Sequence, residues 1–285
     1  MYVVTGATGN TGAVVAGRLL DAGKKVRVFV RTPEKAASLA KKGAEVAVGD
    51  LSQERGLEST FAGAEGLYLL SPPDITTKSF VAERKALTGT IARVIGRARV
   101  KHVALLSSIA AHLPSGTGPI VTLHDAEEQL RATGVPTTFV RATYFIENWA
   151  PSLAAAKKDG VLPTFLPATM KLPMVAARDV GAAAADALLA GPRGVRVIEL
   201  AGPAELSATD VANAAGKILG RPVKVVEAPL DAVVPTLASY GFSENVAALF
   251  REMLAGFASG KVTWDGRGER VRGKTTLEDA IRPLL

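Results

Sequence analysis

Short, continuously apolar runs alternate with stretches of helical period through the first half of the chain. Runs at Tyr2–Thr5, Val26–Val30, Glu45–Val48, Leu67–Leu70, Val103–Leu106 and Thr137–Val140 read as strands. Strands without a polar face belong to parallel sheets that helices cover on both sides. Between them Phe80, Leu87, Ile91, Val94 and Ile95 keep a helical period, as do the residues around Leu123 to Leu130. Right-handed crossovers through such helices predict an α/β fold, a doubly wound (Rossmann) parallel sheet. Its ligands sit beyond the carboxyl ends of the strands.

After residue 150 the pattern loosens. The stretch PSLAAAKKDGVLPTFLPATMKLPMV carries four prolines and predicts an excursion from the sheet. Asp179 is a candidate cap for a helix through Leu189, and VRVIELAG a strand returning to the core. Ser207 and Asp210 form a capping pair for a helix burying Val211, Ala215, Ile218 and Leu219. Val246, Leu249, Phe250, Met253, Leu254 and Phe257 make an apolar stripe, read as a helix on its own lobe or as a dimer surface or substrate wall. The expected organisation is a nucleotide-binding domain over 1–150, with its sheet rejoined by about 174–202. A smaller C-terminal substrate-side lobe over 151–285 is interleaved with it.

The first strand runs directly into GATGNTG, with Gly6, Gly9 and Gly12 three apart. Gly6 lets the backbone turn, Gly9 allows close approach of a bulky anion, and Gly12 lets the next helix pack on the strand. Backbone N–H groups at that helix start suit a pyrophosphate. Thr8, Asn10 and Thr11 add side-chain hydrogen-bonding groups. The second strand ends at Arg31, with Lys35 one turn on, where an NAD-selective site would carry a carboxylate. A guanidinium fork matches a 2′-phosphate, so NADP(H) is the expected cofactor, although Arg31 also reads as a solvated surface residue. Asp50 and Leu51, after the third strand, are placed for the adenine end. Leu70, Ser71 and Pro72, after the fourth, are placed for the middle of the cofactor.

Composition narrows the picture. There are no cysteines, which excludes disulfides, thiolate zinc sites and thiol catalysis; no metal is expected. No secretory signal or membrane-spanning stretch is visible, so a cytoplasmic protein is expected. Net charge is +7, but the basic residues are scattered in pairs such as Lys24-Lys25, without the clustered footprint of a nucleic-acid binder. The expected partner is a small-molecule acceptor, and the expected state a monomer or homodimer.

Together GATGNTG (6–12), VRVFVRTPEK (26–35), the GD of VGDL, LLSPP (69–73), LLSSIAA (105–111) and EEQLRATGVPTTFVRATYFIEN (127–148) resemble the atypical short-chain dehydrogenases of the NmrA-like group. That group includes NADPH quinone and azo-compound reductases, isoflavone-reductase-type enzymes and redox-sensing regulators. The likeness covers most of the chain and weakens after about residue 205.

Typical short-chain dehydrogenases use a Tyr-x-x-x-Lys pair to protonate the reduced carbonyl. Its positions here fall near Pro119 and Leu123, and neither can transfer a proton. The resemblance puts a hydroxyl beside the nicotinamide at Ser107 and Ser108, which equally suit helix capping. His124 is a candidate proton donor or ribose contact, or else a packed or surface histidine. In VRATYFIEN, Ala142, Thr143 and Tyr144 should pass under the nicotinamide, with Tyr144 also a candidate acid. Phe145, Asn148 and His112 should face the substrate, the aromatics equally serving to close the core. The expected activity is NADPH-dependent hydride transfer to a quinone-like or other electron-poor acceptor. The alternatives are a non-enzymatic NADP(H) sensor, or a reductase of a natural-product C=C, C=N or benzylic ether bond.

Overall fold

Period-two alternation along the apolar strands sends successive residues to opposite faces of one sheet. Val4, Val28, Tyr68 and Val140 face one apolar layer, Val3, Leu67, Leu105 and Phe139 the other, all fully buried. The computed structural model describes residues 1–72 and 74–285; Pro73 of LLSPP lies outside the described residues. The strands are β1 (Tyr2–Thr5), β2 (Val26–Val30), β3 (Glu45–Val48), β4 (Gly66–Leu69), β5 (Val103–Ser108), β6 (Thr137–Ala142), β7 (Tyr144–Phe145), β8 (Val161–Thr164), β9 (Leu172–Val175), β10 (Val195–Ala201), β11 (Glu205–Leu206), β12 (Lys224–Glu227) and β13 (Glu269–Arg272). The helices are α1 (Gly12–Asp21), α2 (Ala37–Lys41), α3 (Leu57–Phe61), α4 (Phe80–Arg97), α5 (Val121–Ala132), α6 (Ala150–Asp159), α7 (Ala177–Leu189), α8 (Ala208–Leu219), α9 (Val233–Ser239), α10 (Glu244–Ala258) and α11 (Leu277–Ile281).

Eight strands form the main sheet in the order β13-β10-β6-β5-β4-β1-β2-β3, every neighbouring pair parallel. The order reverses between β4 and β1, the switch point where a doubly wound sheet opens a crevice. Helix α1 buries Val15, Ala16 and Leu19 at helical spacing on one face. Each fully buried Val or Leu there contributes about 1.5–3 kcal/mol. Helix α7 lies against α1, where a side chain on Gly181 would meet the Thr11 carbonyl and Val14.

Strands β10 and β13 come from beyond residue 150 yet complete the main sheet. Residues 174–175 instead belong to a three-stranded sheet, β11-β9-β7, while β12 pairs with β8. The proline-rich excursion is thus more regular than its composition predicts. A further apolar cluster joins Ile109, Trp149, Leu153, Met174, Val211, Phe257 and Ile281. The α8 capping box closes as expected, Ser207 Oγ accepting from the Asp210 N–H. Asp179 is no cap: Ala176 precedes α7, and the Asp179 carboxylate accepts from the N–H and hydroxyl of Thr275, pinning the chain after β13. The apolar stripe forms α10, burying Val246 and Phe257 and leaving Leu249, Phe250, Met253 and Leu254 half-buried. Among the described residues no helix is long and apolar enough to cross a membrane.

Candidate functional site

The glycine turn is built as its spacing predicts. Gly6 has φ +60°, and a Cβ there would lie 2.5 Å from Leu70 Cδ2. A Cβ on Gly12 would overlap the Gly6 carbonyl, so α1 can start only at a glycine. Gly9 differs: its N–H bonds the Gly6 carbonyl at 2.9 Å, yet an added Cβ would meet that carbonyl only at 3.4 Å. The fold itself therefore tolerates a side chain at the exposed Gly9, and the space kept there faces outward. Thr8 and Asn10 are exposed beside it.

Thr11 corrects the sequence reading. Its side chain is buried in the core, where Oγ1 accepts a 2.8 Å hydrogen bond from the Tyr68 hydroxyl, so it does not lie at the open side of the turn.

At the switch point Gly6, Thr8, Arg31, Asp50, Leu51, Leu70 and Pro72 line one small open cleft of about 130 Å³, joined by Phe29, Val30 and Gly49. Phe29, Val30 and Gly49 were not singled out from the sequence. A Cβ on Gly49 would strike the Phe29 ring at 2.7 Å, which is why a glycine floors that wall. Arg31 is exposed on the rim and has no ion-pair partner among the described residues. The N–H and side chain of Ser52 hold the Asp50 carboxyl below its usual range, with smaller help from Arg31 and Arg84. Lys35 is exposed on the 3-10 turn Pro33–Ala36 and is not among the residues lining the cleft.

Leu70 falls just outside β4, one residue from the expected strand end, because its N–H turns to the Thr5 hydroxyl at 3.3 Å. Next to it the Ser71 hydroxyl is buried without a partner among the described residues, and so is that of Thr143 beyond β6. A buried polar atom left unpaired costs free energy of order 1–3 kcal/mol, so both await a partner.

Strands β5 and β6 each run two residues further than expected, to Ser108 and Ala142, which face one another in register. Ser107 is buried and donates to Glu127 Oε1 at 2.6 Å. Its hydroxyl is thus engaged with α5, a correction to its expected cofactor role, while Ser108 is half-buried on the alternate side. Glu127 is itself gripped by Arg141 through two bonds of 2.9 and 2.7 Å, and Arg141 reaches Asp265 at 2.8 Å. Burial pushes the Asp265 carboxyl up, but the Arg267 N–H and the Arg141 guanidinium outweigh it and hold the group at about 2. This network ties the ends of β5 and β6 to the loop before β13. No local pattern announces it, since its members lie on four separate elements.

His124 donates from Nδ1 to the Ala111 carbonyl at 3.0 Å, leaving Nε2 as its remaining nitrogen. His112 has a buried Nδ1 without a partner among the described residues, and burial lowers its pKa against the opposing pull of Asp265. Tyr144 stacks edge-on with Trp149 and Phe257, at 6.3 and 6.0 Å between ring centres. Burial pushes its phenol up to about 12, so it stays protonated at neutral pH. Phe145 is half-buried against the apolar layer that includes Val4, Tyr68 and Val140, and Asn148 is exposed. Pro119 lies in the 3-10 turn Gly118–Ile120 and Leu123 in the first turn of α5, so no acid stands where a Tyr/Lys pair would.

Fold and crevice together define a doubly wound protein of the Rossmann type. The chain belongs to the NmrA-like family, whose model matches residues 2–266. It is 33% identical over 237 residues to (4-alkanoyl-5-oxo-2,5-dihydrofuran-3-yl)methyl phosphate reductase of Streptomyces griseus, covering 81% of this chain and 78% of that protein. It is 28% identical over 258 residues to the NAD(P)H azoreductase of Xenophilus azovorans, covering 90% and 86%. The solved NADPH-dependent quinone oxidoreductase of Escherichia coli, complexed with NADPH, superposes with a TM-score of 0.83 at 26% identity, covering 100% of this chain and 99% of that one.

Proposed function

We propose that the protein is an NADPH-dependent oxidoreductase that reduces a flat, electron-poor acceptor of the quinone class. The carrying observation is the switch-point cleft, lined both by the glycine turn and by Arg31, which has no ion-pair partner among the described residues. These residues fit a phosphorylated dinucleotide. Gly9 leaves room for the pyrophosphate beside the positive end of α1, where the Ala13 N–H is taken by the Gly9 carbonyl but Gly12 and Val14 start the helix, and Arg31 offers a fork to a 2′-phosphate. Ser71 and Thr143 supply the unpaired hydroxyls farther along. The named activities of the azoreductase and the quinone oxidoreductase support the same assignment.

When bound, NADPH supplies the hydride. The chain's own work is orientation. Ser108 and Ala142 at the paired ends of β5 and β6, with Thr143 beyond them, form the floor. Tyr144, braced by Trp149 and Phe257, forms an aromatic wall on which a planar acceptor stacks. Pro119 and Leu123 provide no proton, which suits an acceptor whose reduced anion takes one from water. Ser108 and the Tyr144 phenol remain the candidate hydrogen-bond donors to that anion; His124, its Nδ1 proton given to the Ala111 carbonyl, offers Nε2 as a hydrogen-bond acceptor, and His112, Phe145 and Asn148 are candidate acceptor contacts.

Stopped-flow oxidation of NADPH over a panel of quinones, azo dyes and unactivated ketones tests this. Quinones should turn over and simple ketones should not. NADPH binding with no oxidation by any acceptor would overturn the enzymatic reading in favour of a nucleotide sensor.

A further inference from the structure

Leu70 and Pro72 line the cleft, yet they lie past the end of β4, where the chain enters no further strand or helix before α4 among the described residues. Side chains from other elements hold this wall. Arg84, in the second turn of α4, donates from Nη1 to the Pro72 carbonyl at 2.7 Å, and its guanidinium lies 6.0 Å from the centre of the Phe80 ring. Arg84 pairs with no carboxylate among the described residues, and its Nε is buried without a hydrogen-bond partner. A methionine would cover Phe80 as well as the arginine stem does, so what the guanidinium adds is the bond to Pro72 and a positive charge behind the wall. The Asp50 carboxyl, held low chiefly by Ser52, also feels Arg31 and Arg84.

The reach of Arg84 depends on where α4 begins. Ser79 precedes that helix and makes no cap bond with it. The Phe80 N–H, first of the helix, donates instead to Asn245 Oδ1 at 3.0 Å, 165 positions away in α10. Beside it Ser243 donates its N–H to the Ile75 carbonyl at 2.8 Å and its hydroxyl to the Thr77 carbonyl at 2.5 Å. The start of α10 thus clasps the segment after β4, and farther along the same helix Leu249 and Met253 lie over Gly118 in the loop after β5.

We propose that Arg84 is a positioning residue of the nucleotide site: its guanidinium fixes the Pro72 carbonyl and with it the cleft wall, and Asn245 of the C-terminal lobe fixes the start of α4 from which Arg84 reaches. This rests on the dinucleotide reading above and deepens it. Neither side chain lines the cleft; each acts through the backbone it holds. The wall at Pro72 serves the part of the nucleotide that NADPH and NADH share. Arg84 therefore differs from Arg31 in not choosing between them.

Calorimetric titration of NADPH and of NADH into the wild type, Arg84→Met, Asn245→Ala, Asn245→Asp and the Arg84→Met/Asn245→Ala double variant tests the inference. Thermal melts alongside establish that each is folded at the titration temperature. Arg84→Met raises the Kd of both nucleotides by the same factor, roughly fivefold. Asn245→Ala raises both about threefold, and Asn245→Asp, whose carboxylate accepts the same N–H, stays within about twofold of the wild type. The double variant binds no more weakly than Arg84→Met alone, because Asn245 acts through the side chain already removed. Residues that only stabilised the fold would lower melting and leave Kd unmoved. Unchanged affinity in Arg84→Met, a loss confined to NADPH, losses that multiply in the double variant, or no rescue by Asn245→Asp overturns the inference while leaving the cofactor assignment standing. Wild-type protein that binds neither nucleotide overturns both.

Discussion

Gly6, Gly9 and Gly12 share one motif but answer to different constraints, and substitutions separate them. Gly6→Ala places a side chain at φ +60° and against Leu70, so it lowers stability by about 1–3 kcal/mol in urea unfolding, with or without nucleotide. Gly9→Ala meets only ordinary contacts within the protein. It should melt like the wild type while losing about tenfold in NADPH affinity. Equal melting and equal affinity would show that Gly9 faces no ligand. At this scale the sequence announces the spacing but hides the partners. The Tyr68 hydroxyl meets Thr11 across 57 positions, and Ser107 meets Glu127 across 20. The hydroxyls of Thr11 and Ser107 read as ligand contacts when only their neighbours in sequence are considered, and packing turns both inward.

Elements whose identity depends on local apolar runs were legible almost to the residue. Strands β1 and β2 fall where the pattern predicts, because strands buried in a parallel sheet must be continuously apolar; β3 does too, although it is the exposed edge of the sheet. Strand β13, with the sequence ERVR, carries no such signal; its place at the sheet edge follows from pairing with β10. Likewise the start of α7 is held by a distant group, Glu147, whose carboxylate accepts from the Ala177 N–H at 2.9 and 3.0 Å. Burial pushes the Glu147 pKa up, so the folded state holds that proton more tightly than the unfolded chain. Its contribution is complete below the ordinary glutamate range and is lost as pH rises through the raised value. Glu147→Gln cannot ionise. The Tm of the variant relative to the wild type should therefore rise as pH climbs out of the ordinary glutamate range. A difference independent of pH would contradict the burial argument.

Across the whole molecule, the proposed acceptor side would depend on contacts between segments far apart in sequence. The loop after β5 passes beneath α10 at Gly118, whose φ is +61° and whose Cβ would overlap the Leu249 carbonyl. Gly118→Ala should push α10 off that loop, lowering kcat/KM for the quinone acceptor while leaving NADPH affinity unchanged. Parallel losses in both would mean that the nucleotide and acceptor contacts are not separable. This half of the site was the least legible, since the apolar stripe of α10 fixes a helix but not what the helix packs on.

The account stands on Arg31 recognising a phosphorylated nucleotide beside the glycine turn. Calorimetric titration of NADPH and NADH into the wild type and Arg31→Glu is the most direct test. Loss of a charge-assisted bond of roughly 1.5–3 kcal/mol, with added repulsion, should cost NADPH at least about tenfold in affinity and leave NADH nearly unchanged. Equal weakening of both nucleotides, or binding of neither by the wild type, would contradict it.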